Sequence, residues 1–206
     1  MMITTILLAA TITSPVDLTV AGMKHVTFDG IPATTYRNDG AELVADVNKS
    51  ASFVLLPFTD PIPVKRVTFV WQSSGKPPTV SADVEKTKAG DDFPLRIGLV
   101  VSGKAPMIPF FAPSWVKAIA GTLKHPSDKL IYLTAGAKSP VGSGWESPYS
   151  DSMELISVGG ERAADGYETV TATLPSPLTL VGLWIMADAD QTGAAFTTRL
   201  KSLSLE

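Results

Sequence analysis

Short apolar or alternating runs recur along almost the whole chain, each closed by Gly, Pro, Asn or Asp. A period of two puts successive side chains on opposite faces of an extended backbone, so runs of this kind form half-buried strands. The pattern predicts strands at 26–28, 34–37, 42–47, 52–57, 66–72, 93–102, 129–134, 153–158, 168–173, 178–187 and 198–205. Turn signals separate them, among them Asn38-Asp39-Gly40, Ser74-Gly75-Lys76-Pro77-Pro78 and the Gly/Ser-rich stretch at 139–144. Many short strands divided by turn residues, rather than strands alternating with helices, build a sandwich. The expected fold class is all-β: an antiparallel β-sandwich of jelly-roll type with one short helical segment. That segment is 112–123, where Trp115, Ile119 and Leu123 recur at helical spacing and Ser114 stands as the N-cap.

A chain of 206 residues can bury a full-sized core as one domain. No internal repeat or low-complexity linker divides it, so a single domain over 22–206 is expected. Charged residues make up 18% and the formal net charge is −3, a balance that attracts no polyanion and excludes nucleic acid as a partner. The absence of cysteine removes disulfides, thiolate nucleophiles and thiolate metal sites together. The apolar run at 3–12 has the length of a signal-peptide core and is far too short to span a bilayer, so no transmembrane segment is expected. No Lys or Arg precedes it, and its Ile and Thr content suits a strand equally well. Residues 1–21 are read either as a signal peptide or as a first strand.

The polar residues that interrupt the apolar runs mark the candidate site. Arg96 lies in the middle of the run at 93–102. A buried charge left without its partner costs about 3–5 kcal/mol, so Arg96 requires a carboxylate. Strand parity puts Asp92 on its face, and Asp188 and Asp190 are the other candidates. The run at 178–187 carries Gly182, Trp184 and Met186 on one face, and that face continues into Asp188 and Asp190. A tryptophan beside glycine on such a strand marks either core or the concave face of a sandwich, where a ligand can lie.

The string Asp188-Ala189-Asp190-Gln191-Thr192-Gly193 imitates two motifs. One is the apolar strand ending in D-x-D-x-T of haloacid-dehalogenase-like phosphatases, but only residues 194–206 follow, without the acidic pair that would hold Mg²⁺. The other is a helix–loop–helix calcium loop, which is excluded because Arg199 stands where a bidentate Glu belongs. Two readings remain. Asp188, Asp190 and Thr192 form a looser Ca²⁺ site, or Asp190 and Thr192 cap a turn while Asp188 pairs with a cation.

Catalytic signatures are scarce. Neither His25 nor His125 has a second histidine or a cysteine at helical spacing, and Val141-Gly142-Ser143-Gly144-Trp145 has the wrong spacing for a nucleophile elbow. Paired carboxylates for glycoside hydrolysis depend on separation in space, so Asp91-Asp92 facing Asp188-Asp190 stays open. Loop aromatics are the other lead: Trp145 and Tyr149 in one loop, and the apolar stretch at 109–115.

Four stretches in order carry a resemblance: Lys88-Ala89-Gly90-Asp91-Asp92-Phe93-Pro94-Leu95-Arg96-Ile97, Lys129-Leu130-Ile131-Tyr132, Ser147-Pro148-Tyr149, and Ile185-Met186-Ala187 leading into the string at 188–193. Together they make residues 28–206 resemble the bacterial domain of unknown function 3047 family. The resemblance implies an exported, β-rich protein, periplasmic or secreted, and brings no activity with it. The chain departs from that family's pattern at Val70-Trp71-Gln72 and around Asp165-Gly166-Tyr167.

The fold class is that of galactose-binding and lectin-like domains, and the leading expectation is a non-catalytic exported module that binds a polysaccharide or other glycan. Its ligand residues are Asp92, Arg96, Trp145, Tyr149 and Trp184, with Ca²⁺ at Asp188, Asp190 and Thr192 as the candidate cofactor. The alternatives are a carbohydrate-active enzyme using Asp91, Asp92, Asp188 and Asp190, and a structural protein of the envelope.

Overall fold

A computed structural model describes residues 13–105 and 111–206. The run at 3–12, and Pro109 and Phe110 of the apolar loop, lie outside the described residues.

Twelve strands form among them: β1 (Ser14–Pro15), β2 (Lys24–Thr27), β3 (Thr35–Asp39), β4 (Glu42–Asn48), β5 (Ser52–Lys76), β6 (Leu95–Ser102), β7 (Ser127–Ala135), β8 (Gly144–Ser147), β9 (Ser150–Val158), β10 (Glu161–Arg162), β11 (Glu168–Met186) and β12 (Ala195–Leu205). One helix, α1 (Ser114–Thr122), lies between β6 and β7. They pair in the order β3-β4-β12-β5-β11-β6-β7-β9-β8, with β1 on β12, β2 on β5 and β10 on β11.

The all-β sandwich with one short helical segment is thus present, and all its pairs are antiparallel except β7–β9, which is parallel. A parallel pair needs a crossover, and residues 136–149, containing β8, supply it.

Four of the expected strands merge into two. The runs at 52–57 and 66–72 are halves of β5, and those at 168–173 and 178–187 are halves of β11. The prolines that read as breaks sit at irregularities in the ladder. Thr173 faces Arg66 and Leu178 faces Val64, so residues 174–177, with Pro175 and Pro177, bulge opposite Lys65. Leu180 faces Ile62 and Gly182 faces Pro57, so 58–61, with Pro61, bulges opposite Val181. Proline lacks the ladder donor but is tolerated at a bulge, where a strand bends instead of ending.

The bend folds the sheet over itself. One buried cluster combines Val54, Ile97, Leu133 and Leu183 from one half with Phe69, Val170, Leu200 and Leu203 from the other. The opposite face of the first half carries a second cluster, in which Phe53, Leu55, Tyr132, Trp184 and Met186 are covered by Phe28 and by Trp115, Ile119 and Leu123 of the helical segment. The helical spacing of those last three is therefore the face that packs.

Ser114 is not the N-cap. Pro113 occupies that position without a side-chain bond, and Ser114 is the first helical residue. Its hydroxyl donates to Asp29 Oδ1 at 2.8 Å, which ties the start of α1 to the segment after β2.

Candidate functional site

β6 and β11 lie side by side, with Arg96 opposite Met186 and Gly98 opposite Trp184. A Cβ at Gly98 would stand 2.9 Å from that of Trp184, so glycine is what lets the indole lie across β6. The Trp184 ring stacks on Phe53, 3.3 Å between centroids and 11° between planes. Tyr132 and Trp115 meet it edge-on at 5.8 and 6.5 Å, and Phe28 continues the row to Trp115.

Arg96 is 3% exposed. Its guanidinium lies over the rings of Phe93, at 4.8 Å, and Tyr132, at 5.4 Å. It donates to Asp91 Oδ2 at 3.1 Å, to the Asp91 carbonyl, and to Asp188 Oδ2 at 2.5 Å. Asp188 Oδ1 accepts the Phe93 N–H at 3.2 Å. Burial works against the charge on Arg96, but Asp188 and Asp91 outweigh it and push its pKa up. Burial pushes the Asp188 carboxyl well above the usual carboxylate range; Arg96 pulls against this, and Asp92 and Asp91 add to it. Asp91 is pushed up in the same way, mainly by burial.

Asp92 differs from the parity expectation. β6 starts at Leu95, so strand alternation does not extend back to Asp91 and Asp92, and Asp91 rather than Asp92 reaches Arg96. The Asp92 carboxylate, 1% exposed, instead accepts the backbone N–H groups of Gln191 at 3.4 Å and Thr192 at 2.5 Å. It thereby fastens the loop after β11 to the segment before β6. Asp190 is half-buried and bonded by the Gln191 side-chain amide, not by Arg96; burial and then Asp92 raise its pKa.

The end of β11 is clamped from the other side too. Thr34 donates to the Ala187 carbonyl at 3.0 Å, and the Tyr36 hydroxyl donates to Ser52 and accepts the Ala187 N–H.

Carboxylate oxygens of Asp92, Asp188 and Asp190 lie within 4.8 Å of one another, close enough to share a hard cation. Asp92 thus joins the expected pair, while the Thr192 hydroxyl is buried without a partner. Protein donors already occupy much of this set, and the Arg96 guanidinium at 2.5 Å from Asp188 repels a divalent ion.

Beside this cluster a cavity of about 460 Å³ opens on the face of the first half that α1 covers. Phe28, Trp115, Tyr132, Tyr149 and Trp184 form its aromatic wall, and Asp91, Arg96, Asp188, Asp190 and Gln191 its polar wall. Tyr149, 52% exposed, stands at the rim, where burial of its hydroxyl and the Asp91 and Asp190 carboxylates push the phenol up to about 12. Of the expected ligand residues, Arg96, Tyr149 and Trp184 line the cavity. Asp92 lies behind it. Trp145 is outside the lining, packed on Phe93 at 6.2 Å with Lys86 over its ring.

Phe28 and Tyr132 were missed from the sequence, and Trp115 entered it only within the apolar stretch at 109–115 and the helical spacing. Tyr132 shares a strand face with Leu130 and Thr134, and only the cross-strand register brings that face beside Gly98 and Trp184. Arg199, which spoiled the calcium loop, pairs with Asp39 and Glu42 on the other side of the sandwich.

A family model described as a protein of unknown function (DUF3047) matches residues 21–204. A comparison with curated proteins gives no match. Among solved structures, the chain is similar to a low-affinity xylan-binding module, CBM86, from the gut symbiont Roseburia intestinalis, with 11% identity over 95% of this chain and 96% of that one. The TM-score is 0.38, and a likeness of that degree carries no argument about fold or ligand.

Proposed function

The chain belongs to the DUF3047 family, whose description names no activity, and we propose from the cavity alone that it is a glycan-binding module. The observation that carries this reading is the cavity of about 460 Å³, with a row of aromatic rings meeting a patch of carboxylates. Pyranose rings present apolar C–H faces and equatorial hydroxyls. The first stack on aromatic side chains and the second bond to carboxylates and guanidinium groups, often bidentately. A volume of this size suits one or two sugar units.

The carboxylates favour binding over hydrolysis. Asp91 and Asp188 are tied to Arg96, and Asp92 to two backbone N–H groups. A glycosidase pair instead flanks the bond it cleaves across an open groove. An envelope protein with a purely structural role gives no account of an aromatic cavity.

We place the module outside the cytoplasm, periplasmic or secreted, because its polysaccharide partners are there. A glycan array and a polysaccharide pull-down, each with wild type and Tyr149→Ala, test the binding. Retention on at least one polysaccharide, weakened in the variant, is expected; no retention on any polysaccharide rejects the reading. Release of reducing ends from a retained polysaccharide would instead assign hydrolysis.

A further inference from the structure

We propose that the cavity selects a protonated amine carried on a ring-sized ligand. Under the glycan reading, on which this inference rests, that ligand is a sugar with a free amino group.

Four carboxylates line the cavity, those of Asp29, Asp91, Asp188 and Asp190, and Arg96 is the one cation among the described lining residues. Arg96 is held by Asp91 and Asp188. Asp190 has only the neutral Gln191 amide. Negative charge therefore exceeds positive in a site walled by aromatic rings, where water screens poorly.

Three buried polar atoms bear on the ligand. Asp91, Arg96 and Trp184 are each 3% exposed and all line the cavity, yet Asp91 Oδ1, Arg96 Nε and Trp184 Nε1 have no partner. A carboxylate oxygen only accepts, so its missing partner is a donor, and an ammonium offers three. The indole N–H and the Arg96 Nε–H only donate, so their missing partners are acceptors such as ring hydroxyls. An amino sugar carries both groups.

The aromatic wall adds attraction of its own, because the faces of Trp and Tyr favour a cation over a neutral group. The rim shows the preference within the molecule: the Lys88 ammonium lies 5.4 Å from the centroid of the Tyr149 ring. A neutral sugar would leave the excess charge unbalanced, and an anionic one would be repelled.

Isothermal titration of the full chain in near-neutral, low-salt buffer separates the possibilities. The probes are a glucosamine oligosaccharide, its N-acetylated counterpart, a cello-oligosaccharide of the same linkage, and cyclohexylammonium. The glucosamine oligosaccharide is expected to bind at least about tenfold tighter than the two neutral ones, and to weaken as salt is added. Asp190→Asn, isosteric and half-exposed, should not lower the melting temperature and should reduce that preference to within about threefold, against the tenfold step.

Equal or tighter binding of either neutral oligosaccharide overturns the amine preference and leaves the glycan reading standing. Binding of cyclohexylammonium alone keeps the amine preference and overturns the glycan reading. Silence from all four probes overturns the amine preference, and the polysaccharide pull-down then decides the glycan reading separately.

Discussion

Arg96 and Asp188 lie 92 residues apart in the chain and 2.5 Å apart in the fold, both almost completely buried. The pair joins the start of β6 to the end of β11 where those neighbouring strands open into the cavity. A charge pair at that depth gains little over a well-packed apolar substitute, but removing one partner strands the other.

Asp188→Ala is therefore expected to lower stability by about 3–5 kcal/mol, read as a fall in the urea midpoint at unchanged slope. Arg96→Met combined with Asp188→Leu and Asp91→Asn, which leaves no partner of Arg96 charged and buried, should recover most of the loss. A triple variant no more stable than the single one would show that the cluster contributes more than mutual neutralisation.

Acid should stabilise the protein over a window where most proteins begin to weaken. Asp190, which forms no ion pair with Arg96, has its pKa raised by burial and then by Asp92. A carboxyl raised in the folded state binds its proton there before it does in the unfolded chain. Its contribution is present in full below the unfolded pKa of about 3.9 and is lost as pH rises through the folded value. The melting temperature should thus rise as pH falls from neutral toward the carboxylate range, and Asp190→Asn should flatten that rise. A melting temperature that falls steadily over this range contradicts the expectation.

Gly98→Ala should destabilise by about 1–3 kcal/mol, because the new methyl meets the Trp184 Cβ rather than open space. The near-ultraviolet circular dichroism of the stacked Trp184 and Phe53 should change with it. Gly22→Ala, where nothing lies within 4 Å, is the matched control.

Calcium is expected to leave the melting temperature unchanged at millimolar concentration, since Arg96 and backbone donors already occupy Asp188 and Asp92. A dose-dependent rise, abolished by Asp190→Asn, would instead assign a cation to Asp92, Asp188 and Asp190.

Much of the fold was legible because alternation and turn chemistry are local. The period-two runs marked most of the strands, and the Trp115, Ile119 and Leu123 spacing marked the face of α1 that packs. The continuity of β5 and β11 was not legible: Pro61, Pro175 and Pro177 read as stops, and only the facing strand shows that they sit in bulges. At the site, the need of Arg96 for carboxylates was readable from its apolar surroundings, and Asp188 was among the partners named. The choice of Asp91 over Asp92 turned on where β6 begins, a matter of one or two residues that no pattern fixes. Trp145 and Trp184 are alike in composition terms, yet one packs on Phe93 behind the site and the other lines it.

The two strands that bend through both layers have a consequence for how the molecule comes apart. Because β5 and β11 belong to each layer at once, neither layer can open without dragging ladder bonds out of the other. Opening should then proceed as one cooperative unit rather than layer by layer. A small molecule seated in the cavity would slow amide exchange in β12 and β4 on the far layer as well, so occupancy is readable from amides that never touch it.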